Sequence, residues 1–341
     1  VINNLDKRGR RLGADVFEAI RKGGAKKFRG LAAPELALQA VQAAVEQPFD
    51  QGLQTEAGLF LKSLMSPQSA AQRYYFFAER AASKIPDVPE ETPTRPIKTA
   101  GVMGAGTMGG GITMALVNGG IPVTIVEMAQ ENLDRGLATI RKNYERTAQR
   151  GGMTAEDVEK RMSMITGSLD YGALADADLV IEAVFERMDI KKQVFAKLDE
   201  VCKPGAILAS NTSFLDLNEI ASATKRPGDV IGLHFFSPAN VMRLLEIVRG
   251  DATAKDVIAT AMKVGRQMGK VSVLVGVALG FVGNRILVPR QVQAEKLTLE
   301  GVMPWRVDKV FFDFGFPMGP FAMGDLAGLD IWLEEKQGPD T

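Results

Sequence analysis

The sequence predicts an α/β fold in which a doubly wound parallel sheet is preceded and followed by helical regions. Three observations favour this fold. From residue 97 to residue 283, apolar segments of strand length alternate with helical ones, as in parallel sheets that helices cover on both faces. Residues 1–86 are alanine-rich and helical in pattern, and from residue 284 onward the strand signal disappears. A proline-rich linker at residues 87–96 separates the N-terminal region from the sheet.

The linker is the clearest boundary in the chain. Four prolines and several acidic residues lie between Ile85 and Pro96. Proline lacks the backbone N–H that a helix requires, so this segment is expected to be extended and to lead into the first strand.

Strand-like and helical segments follow one another after the linker. Strands are predicted at residues 99–103, 123–126, 178–184, 206–210, 229–234, 244–248 and 271–275, and helices at residues 132–149, from 154 onward, at 188–201 and at 254–268. We therefore expect residues 97–283 to form one α/β domain and residues 284–341 to form a separate helical domain.

A glycine-rich turn joins the first predicted strand to a helix. Gly104 allows the tight turn, Gly106 lets a pyrophosphate approach the backbone, and Gly109 lets the helix pack close to the strand. Thr107 and Met108 lie where the first helical N–H groups and the helix dipole favour a negatively charged ligand. The flanking strand and helix supply the context of a Rossmann-type dinucleotide site. The alternative is an ordinary turn that binds nothing, although three glycines would then weaken the helix without a structural return.

Glu127 ends the second predicted strand and indicates which dinucleotide binds. A carboxylate at this position can accept hydrogen bonds from both ribose hydroxyls of the adenosine half, whereas it would repel a 2′-phosphate. We therefore expect the cofactor to be NAD rather than NADP.

The only histidine of the chain, His234, is the natural candidate for a general base. Oxidation of an alcohol by NAD requires a group that takes the hydroxyl proton, and His234 ends a predicted strand at the sheet edge where ligands bind. Glu246, twelve residues later on the next predicted strand, is placed to orient the imidazole. A lone histidine without a catalytic task is the alternative. The rival base, a tyrosine followed four positions later by lysine, is missing from the sequence.

Two polar residues near predicted strand ends are further candidates. Ser213 follows the strand that ends at Ser210, and its hydroxyl could hydrogen-bond a substrate oxygen. Asn284 precedes a helical segment, where an asparagine is most simply interpreted as an N-cap.

Composition excludes several classes of function. Lysine plus arginine and aspartate plus glutamate are balanced at 41 each, so no overall field favours nucleic acid or an anionic membrane as a partner. The longest apolar run, residues 271–283, is interrupted by glycine and is shorter than the about 20 residues that span a bilayer. The single cysteine, Cys202, excludes an internal disulfide and fits a reducing compartment. With one histidine and one cysteine, no metal site is expected.

Motifs along most of the chain together resemble one known family. They lie at residues 101–109, 210–213, 233–238, 245–248 and 280–285, with further matches at 317–321 and 325–330. The first five are similar to motifs of the L-3-hydroxyacyl-CoA dehydrogenases, and the last two are similar to that family's helical C-terminal domain. The resemblance extends from about residue 97 to the end of the chain.

The N-terminal region resembles a different family. Residues 56–60, 66–67 and 76–80 look like the tail of an enoyl-CoA hydratase (crotonase) domain and the helix that joins it to a dehydrogenase. This order is similar to that of the bifunctional enzymes of fatty-acid β-oxidation. The hydratase acids and oxyanion-hole glycines of that family belong upstream of Val1, so we expect no hydratase activity from this chain. We also expect the helical C-terminal domain to be incomplete.

The resemblance implies a role for each candidate residue. His234 would take the proton of the substrate's 3-hydroxyl group, and Glu246 would orient it. Ser213 and Asn284 would hydrogen-bond the 3-oxygen and neighbouring groups, so that Asn284 changes from a helix cap to a substrate ligand. Ser237 stands where some members of the family have an asparagine.

The same resemblance assigns the cofactor contacts. Glu127 would bind the adenosine ribose, and Glu186 with Lys191 would lie near the nicotinamide. The expected reaction is NAD-dependent oxidation of an L-3-hydroxyacyl-CoA to a 3-oxoacyl-CoA, in a cleft between the sheet and the C-terminal helices. The alternatives are an NAD-binding fragment without turnover and a dehydrogenase of another 3-hydroxy acid.

The implied partners are an acyl-CoA and a second copy of the chain. A homodimer or pseudo-dimer contact is expected through the helical C-terminal domain. A bacterial-type protein of this kind would be cytoplasmic, and a eukaryotic one would be peroxisomal.

Overall fold

A computed structural model describes residues 13–327 of the chain. The part of the C-terminal motif at residues 328–330, and the remainder of the predicted C-terminal domain, lie outside this range. The chain divides into two compact units. One unit contains residues 80–289, and the other contains, among the described residues, 13–79 together with 290–327. Among the helices of residues 13–327, none has the length and apolar character needed to cross a bilayer.

The N-terminal region is helical, as predicted. Its four helices are α1 (Ala14–Gly24), α2 (Ala33–Glu46), α3 (Phe49–Leu64) and α4 (Pro67–Ala81). The guanidinium of Arg21 on α1 lies 3.0 Å from the carboxylate of Glu35 on α2 and joins the two helices. Both side chains are partly exposed, so we expect this pair to contribute little to stability.

The larger unit is built on one eight-stranded sheet. Its strands are β1 (Ala100–Met103), β2 (Val123–Val126), β3 (Ile165–Ser168), β4 (Leu179–Glu182), β5 (Ile207–Ser210), β6 (Val230–Phe235), β7 (Leu244–Arg249) and β8 (Val271–Gly276). They lie side by side in the order β3-β2-β1-β4-β5-β6-β7-β8. The strand order reverses at β1, so the crevice between the loops after β1 and β4 is the place where such sheets bind ligands.

Two features of the sheet differ from the sequence prediction. Strand β3 was not predicted, because only one of its four residues, Ile165, is a large apolar residue and the strand is partly exposed. The sheet was expected to be parallel, but β7 runs antiparallel to β6, while the other pairs are parallel. The connection between β6 and β7 is too short for a crossover helix, and a short connection favours antiparallel pairing.

Helices cover both faces of the sheet. They are α5 (Thr107–Asn118), α6 (Gln130–Gln149), α7 (Ala155–Met162), α8 (Met188–Val201), α9 (Leu217–Ala221) and α10 (Lys255–Gln267). Helix α5 is the most deeply placed of them, since its residues from Gly109 to Val117 are all buried. A helix that is apolar all round is stable only inside a core, and this burial fixes the helix against the strands that precede and follow it.

The predicted linker contains no helix or strand and is bound to the sheet unit by Arg95. The Arg95 guanidinium lies 2.7 Å from Asp229 and 2.8 Å from Asp256. The backbone N–H of Arg95 also donates a hydrogen bond to the hydroxyl of Thr260. This part of the linker therefore has fixed partners in residues 80–289 and does not behave as a free tether.

The described C-terminal region is also helical. It consists of α11 (Gly283–Leu299), α12 (Pro304–Phe314) and α13 (Pro320–Ala327). The Asp308 carboxylate on α12 accepts hydrogen bonds from the backbone N–H groups of Phe321 (2.9 Å) and Ala322 (2.8 Å) at the start of α13. The first N–H groups of a helix have no partner within it, so this side chain stabilises the beginning of α13.

Candidate active site

His234 and Glu246 form the centre of the candidate site. They lie directly opposite each other on the antiparallel strands β6 and β7. The Nδ1 atom of His234 lies 2.7 Å from Oε2 of Glu246. Both residues are almost completely buried. This geometry fits the role predicted for Glu246, which is to orient the imidazole of His234.

The other carboxylate oxygen of Glu246 is held by backbone. Its Oε1 atom accepts hydrogen bonds from the N–H groups of Val282 (3.0 Å) and Gly283 (2.8 Å) at the start of α11. Burial alone would raise the pKa of Glu246, but the hydrogen bonds from His234, Gly283 and Val282 outweigh burial and hold this pKa below its usual value. The side chain is therefore a buried carboxylate that stays charged at neutral pH.

Two aromatic rings flank the imidazole. The centroid of the Phe236 ring lies 4.5 Å from that of His234, and the centroid of the Phe281 ring lies 5.5 Å from it. Phe281 is buried and has a φ of +46°, in the left-handed region that side chains other than glycine rarely adopt. Backbone strain of this kind is found at functional sites, where the surrounding packing maintains it.

The glycine-rich turn after β1 has the shape of a phosphate cradle. Gly104 has a φ of +98°, and a Cβ atom there would lie 2.7 Å from the carbonyl oxygen of Ala183. A Cβ on Gly109 would overlap the carbonyl oxygen of Gly104, whereas a Cβ on Gly106 would meet open space. The first and third glycines are thus required by the backbone, and the second leaves room for a ligand.

The start of α5 completes this cradle. Gly106 is the N-cap residue and provides no side-chain cap, while Thr107 is exposed and Met108 is half-buried. The first N–H groups of the helix are therefore not covered by a capping side chain. Uncapped N–H groups and an open glycine fit the pyrophosphate of a dinucleotide.

Glu127 lies beside the same turn. It follows β2, and its Oε2 atom accepts a hydrogen bond of 3.0 Å from the N–H of Ala105 inside the turn. Its Oε1 atom accepts from the N–H of Met128 at 2.8 Å. The side chain is half-buried, so a carboxylate at the end of the second strand is partly open to a ligand that lies on the turn. This arrangement fits the adenosine half of NAD.

Ser213 lies in the turn after β5, and Glu186 holds that turn. The Oε1 atom of Glu186 accepts hydrogen bonds from the Thr212 hydroxyl (2.5 Å) and from the N–H groups of Ser213 (2.7 Å) and Phe214 (3.1 Å). Burial alone would raise the pKa of Glu186, but the charge of Lys191 and these three hydrogen bonds lower it below its usual value. The Glu186 side chain remains 36% exposed.

Asn284 lies in the first turn of α11. Because the helix begins at Gly283, Asn284 is inside the helix and is not the residue that caps it. A Cβ on Gly280 would lie 3.1 Å from the Cβ of Asn284 and 3.4 Å from the ring of Phe214. The start of α11 and the turn that carries Ser213 therefore lie close together.

Sequence reasoning missed two polar residues near this site. Glu182, at the end of β4, is completely buried, and its Oε1 atom lies 2.7 Å from the ammonium of Lys191. Asn211 accepts a hydrogen bond of 2.9 Å from the N–H of Phe235 and joins the end of β6 to the turn after β5. The signal for Glu182 was a charged residue at the end of an apolar strand, where burial requires a partner of opposite charge.

The burial of Lys191 bears on its expected role. The side chain is 1% exposed, and its ammonium lies between Glu182 and Glu186. Because Lys191 is buried, any effect that it has on the nicotinamide must pass through Glu186, which is the one partly exposed side chain of these three. Within residues 13–327, no cluster of histidine, cysteine, aspartate and glutamate side chains could hold a metal ion.

Comparison with known proteins shows which family has this arrangement. Residues 99–278 match the family model of the 3-hydroxyacyl-CoA dehydrogenase NAD binding domain. Residues 280–336 match the model of the 3-hydroxyacyl-CoA dehydrogenase C-terminal domain. Together the two models cover the chain from the first strand of the sheet almost to its end.

A curated protein of similar sequence covers nearly the whole chain. The chain is 46% identical over 335 residues to the peroxisomal bifunctional enzyme of Danio rerio, and this match covers 96% of the chain and 46% of that enzyme. The chain therefore spans less than half the length of this relative.

Two solved structures each match 70% of the chain. The 3-hydroxybutyryl-CoA dehydrogenase of Escherichia coli is 39% identical with a TM-score of 0.65, covering 70% of this chain and 51% of that one. The (S)-3-hydroxybutyryl-CoA dehydrogenase PaaH1 of Ralstonia eutropha is 35% identical with a TM-score of 0.66, covering 70% and 85%. The chain belongs to the 3-hydroxyacyl-CoA dehydrogenase family, a family of NAD-dependent oxidoreductases, and residues 99–278 are its NAD-binding domain.

Proposed function

We propose that this protein oxidises an L-3-hydroxyacyl-CoA to the 3-oxoacyl-CoA with NAD, as the dehydrogenase part of a bifunctional enzyme of fatty-acid β-oxidation. The observation that carries the proposal is the buried pair of His234 and Glu246 in a sheet whose first turn is a dinucleotide cradle. Membership of the family and the names of its relatives support the choice of substrate class.

His234 is the proposed base. Because its Nδ1 atom lies against the Glu246 carboxylate, Nδ1 carries the proton and donates it in the hydrogen bond. The Nε2 atom is then the unprotonated nitrogen that accepts the proton of the substrate's 3-hydroxyl group. When bound, NAD supplies the acceptor for the hydride that leaves the same carbon.

Glu246 assists this proton transfer without contacting the substrate. Accepting a proton makes the imidazole positive, and a buried negative charge 2.7 Å away stabilises the imidazolium. The low pKa of Glu246 keeps the proton on the imidazole and not on the carboxylate. Its hydrogen bonds to Val282 and Gly283 prevent the carboxylate from turning away as the charge on the ring changes.

Ser213 and Asn284 are the proposed ligands of the substrate's 3-oxygen and neighbouring groups. Both are half-buried, and they lie on two segments that meet near Gly280. A hydroxyl and an amide that donate to this oxygen would favour the build-up of carbonyl character during oxidation and of negative charge during the reverse reaction.

The proposed cofactor contacts follow the shape of the turn after β1. The backbone at Gly104, Gly106 and Gly109 with the first N–H groups of α5, at Thr107 and Met108, would hold the pyrophosphate. Glu127 would bind the adenosine ribose. Glu186 would lie near the nicotinamide, and the ammonium of the buried Lys191, 3.2 Å from Oε2 of Glu186, would hold its carboxylate in place.

The assay that tests the function is the reverse reaction. We expect the protein to oxidise NADH in the presence of acetoacetyl-CoA, and we expect His234→Ala protein to lose at least about a hundredfold in kcat. Titration of NADH fluorescence supplies the control, since His234→Ala protein should still bind NADH. Binding by wild-type protein without turnover would identify it as an NAD-binding module. Equal turnover of acetoacetate and acetoacetyl-CoA would identify a dehydrogenase of another 3-hydroxy acid.

The remaining proposals concern the organisation of the whole protein. The proposed division is a hydratase-derived tail up to residue 86, a linker at 87–96, an NAD domain at 97–283 and a helical domain from 284 onward. A dimer or pseudo-dimer contact is proposed for the helical domain, and light scattering would test it. For a eukaryotic source we propose a peroxisomal location, supported by the names of the relatives and testable with a fluorescent fusion of the full-length protein.

A further inference from the structure

We propose that Glu182, at the end of β4, is a positioning residue that orients Ser213 for the reaction. It acts through two chains of hydrogen bonds and ion pairs that end at the same turn, residues 212–214. The inference rests on the proposed role of Ser213 as a ligand of the substrate oxygen and extends it to a side chain that itself contacts no substrate.

The burial of Glu182 calls for an explanation beyond the filling of space. The side chain is completely buried, and its partner Lys191 is 1% exposed. Burial of a charge is unfavourable unless the charge is paired and its other atoms are hydrogen-bonded. A well-packed apolar pair of the same size would serve stability as well, so an ion pair at this place indicates that the direction of its hydrogen bonds matters.

The first chain of contacts passes through Ser210. The Ser210 hydroxyl donates a hydrogen bond of 2.7 Å to Oε2 of Glu182. The same oxygen of Ser210 accepts a hydrogen bond of 3.2 Å from the N–H of Thr212. Since a hydroxyl has a single proton, donation to Glu182 fixes the lone pairs of Ser210 toward the turn.

The second chain passes through Lys191 and Glu186. The Lys191 ammonium lies 2.7 Å from Oε1 of Glu182 and 3.2 Å from Oε2 of Glu186. The remaining oxygen of Glu186 accepts hydrogen bonds from Thr212, Ser213 and Phe214. Glu182 thus holds the ammonium in a position that fixes Glu186, and Glu186 holds the backbone N–H of Ser213 at 2.7 Å.

Both chains act on the backbone that carries the Ser213 side chain. A turn held at three consecutive N–H or hydroxyl groups by one carboxylate oxygen has little freedom to rotate. Catalytic groups must be held close to the productive geometry, and a displacement of about 1 Å can reduce the rate by about a hundredfold. Loss of the charge of Glu182 is therefore expected to loosen the turn and to lower kcat.

The test is a double-mutant cycle that combines Glu182→Gln with Ser213→Ala in the whole chain. Glutamine keeps the shape of Glu182 and removes its charge. The matched control is Glu219→Gln, which removes the carboxylate of an exposed pair, Lys192 with Glu219 at 3.2 Å. For each protein we would measure kcat and the KM for NADH with acetoacetyl-CoA, together with the melting temperature.

We expect Glu182→Gln to lower kcat by about tenfold and to raise the KM for NADH by less, about twofold to threefold, because Glu186 in the second chain is also a proposed nicotinamide contact. In the Ser213→Ala background, the same change should lower kcat by less than about twofold, because the group that it positions is gone. Glu219→Gln should leave both constants unchanged.

Several results would overturn the inference. Equal losses of kcat in the two backgrounds would mean that Glu182 acts independently of Ser213. A raised KM for NADH with unchanged kcat would assign Glu182 to cofactor binding. Wild-type kcat in Ser213→Ala protein would remove the residue on which the inference rests. Absence of turnover in the wild-type protein would instead contradict the proposed function.

A second variant keeps the proposal testable if Glu182→Gln protein does not fold. Ser210→Ala removes only one hydroxyl and interrupts the first chain. We expect it to lower kcat by about threefold to fivefold in the wild-type background and to have no effect in the Ser213→Ala background. An equal effect in both backgrounds would again contradict the proposal.

Discussion

The Nδ1 atom of His234 lies 2.7 Å from the Oε2 atom of Glu246 because the two residues are direct partners on neighbouring antiparallel strands. Side chains of paired residues on adjacent strands leave the same face of the sheet, so the strand register itself brings the imidazole and the carboxylate together. A shift of this register by one residue would place the two side chains on opposite faces.

Glu246→Gln is expected to lower kcat by about tenfold to a hundredfold. Glutamine can still accept the hydrogen bonds of Val282 and Gly283, but it carries no charge to stabilise the imidazolium. The loss of NADH absorbance with acetoacetyl-CoA measures the effect, and Glu159→Gln, which alters an exposed carboxylate, is the control. Wild-type kcat in Glu246→Gln protein would show that the carboxylate has no part in the reaction.

The pH dependence of stability provides a separate check on the same carboxylate. The pKa of Glu246 in the folded protein lies below its ordinary value of 4.5. A lowered pKa contributes stability that is present above about pH 4.5 and is lost as pH falls through the lower folded value. The difference in melting temperature between wild-type and Glu246→Gln protein should therefore be constant down to about pH 5 and shrink below it. A difference that grows on acidification would contradict this sign.

Glu127→Ala is expected to weaken the preference for NAD. The variant removes the carboxylate beside the glycine turn, including its hydrogen bond to the N–H of Ala105. We expect weaker binding of NADH and a ratio of the NADPH and NADH dissociation constants that falls by about tenfold. Fluorescence titration with both nucleotides measures the ratio, and an unchanged ratio would place the source of selectivity elsewhere.

Gly109→Ala is expected to reduce NADH affinity by more than about tenfold. A Cβ at this position overlaps the carbonyl oxygen of Gly104, so the turn must move. Gly110→Ala is a closely matched control, because a Cβ there meets only the side chain of Ile140, at 3.6 Å. Equal NADH affinity in the two variants would contradict the proposed function of the cradle.

Cys202 is expected to be unreactive in the folded protein. It is buried, and burial raises the pKa of its thiol to about 11. At about pH 8 its labelling by a thiol reagent should be at least about a hundredfold slower than in guanidinium chloride. Since it is the only cysteine of the chain, the labelling rate reports on this site alone. Equally rapid labelling in the native protein would contradict the burial of the thiol.

The glycine turn and the buried pair of His234 and Glu246 could be predicted because short-range rules define them. The spacing of Gly104, Gly106 and Gly109 reflects steric requirements of one turn, and the structure shows those requirements at the first and third positions. His234 and Glu246 could be paired because each lies on a recognisable apolar strand. These features depend on few residues, which are close in sequence or on adjacent strands.

The antiparallel strand and the buried ion pair depend on longer-range relationships. The direction of β7 follows from the short connection after β6, a signal that the alternation of strands and helices obscured. Strand β3 is partly exposed and has little apolar character, so its pairing with β2 provides the signal that its sequence lacks. Glu182 and Lys191 are nine residues apart on a strand and a helix, and only the packing of α8 on the sheet shows that both are buried.

One carboxylate, that of Glu246, joins the imidazole of His234 to the first turn of α11. The segment from Gly280 to Gly283 is consequently linked to β7 by a side chain, because the N–H groups of its last two residues donate to this carboxylate. A chimera that exchanges the helical region of this protein for that of a relative should keep these four residues with their own β7. If the junction of the chimera preceded Gly280, the carboxylate of Glu246 would have to accept its hydrogen bonds from a backbone turn of the relative.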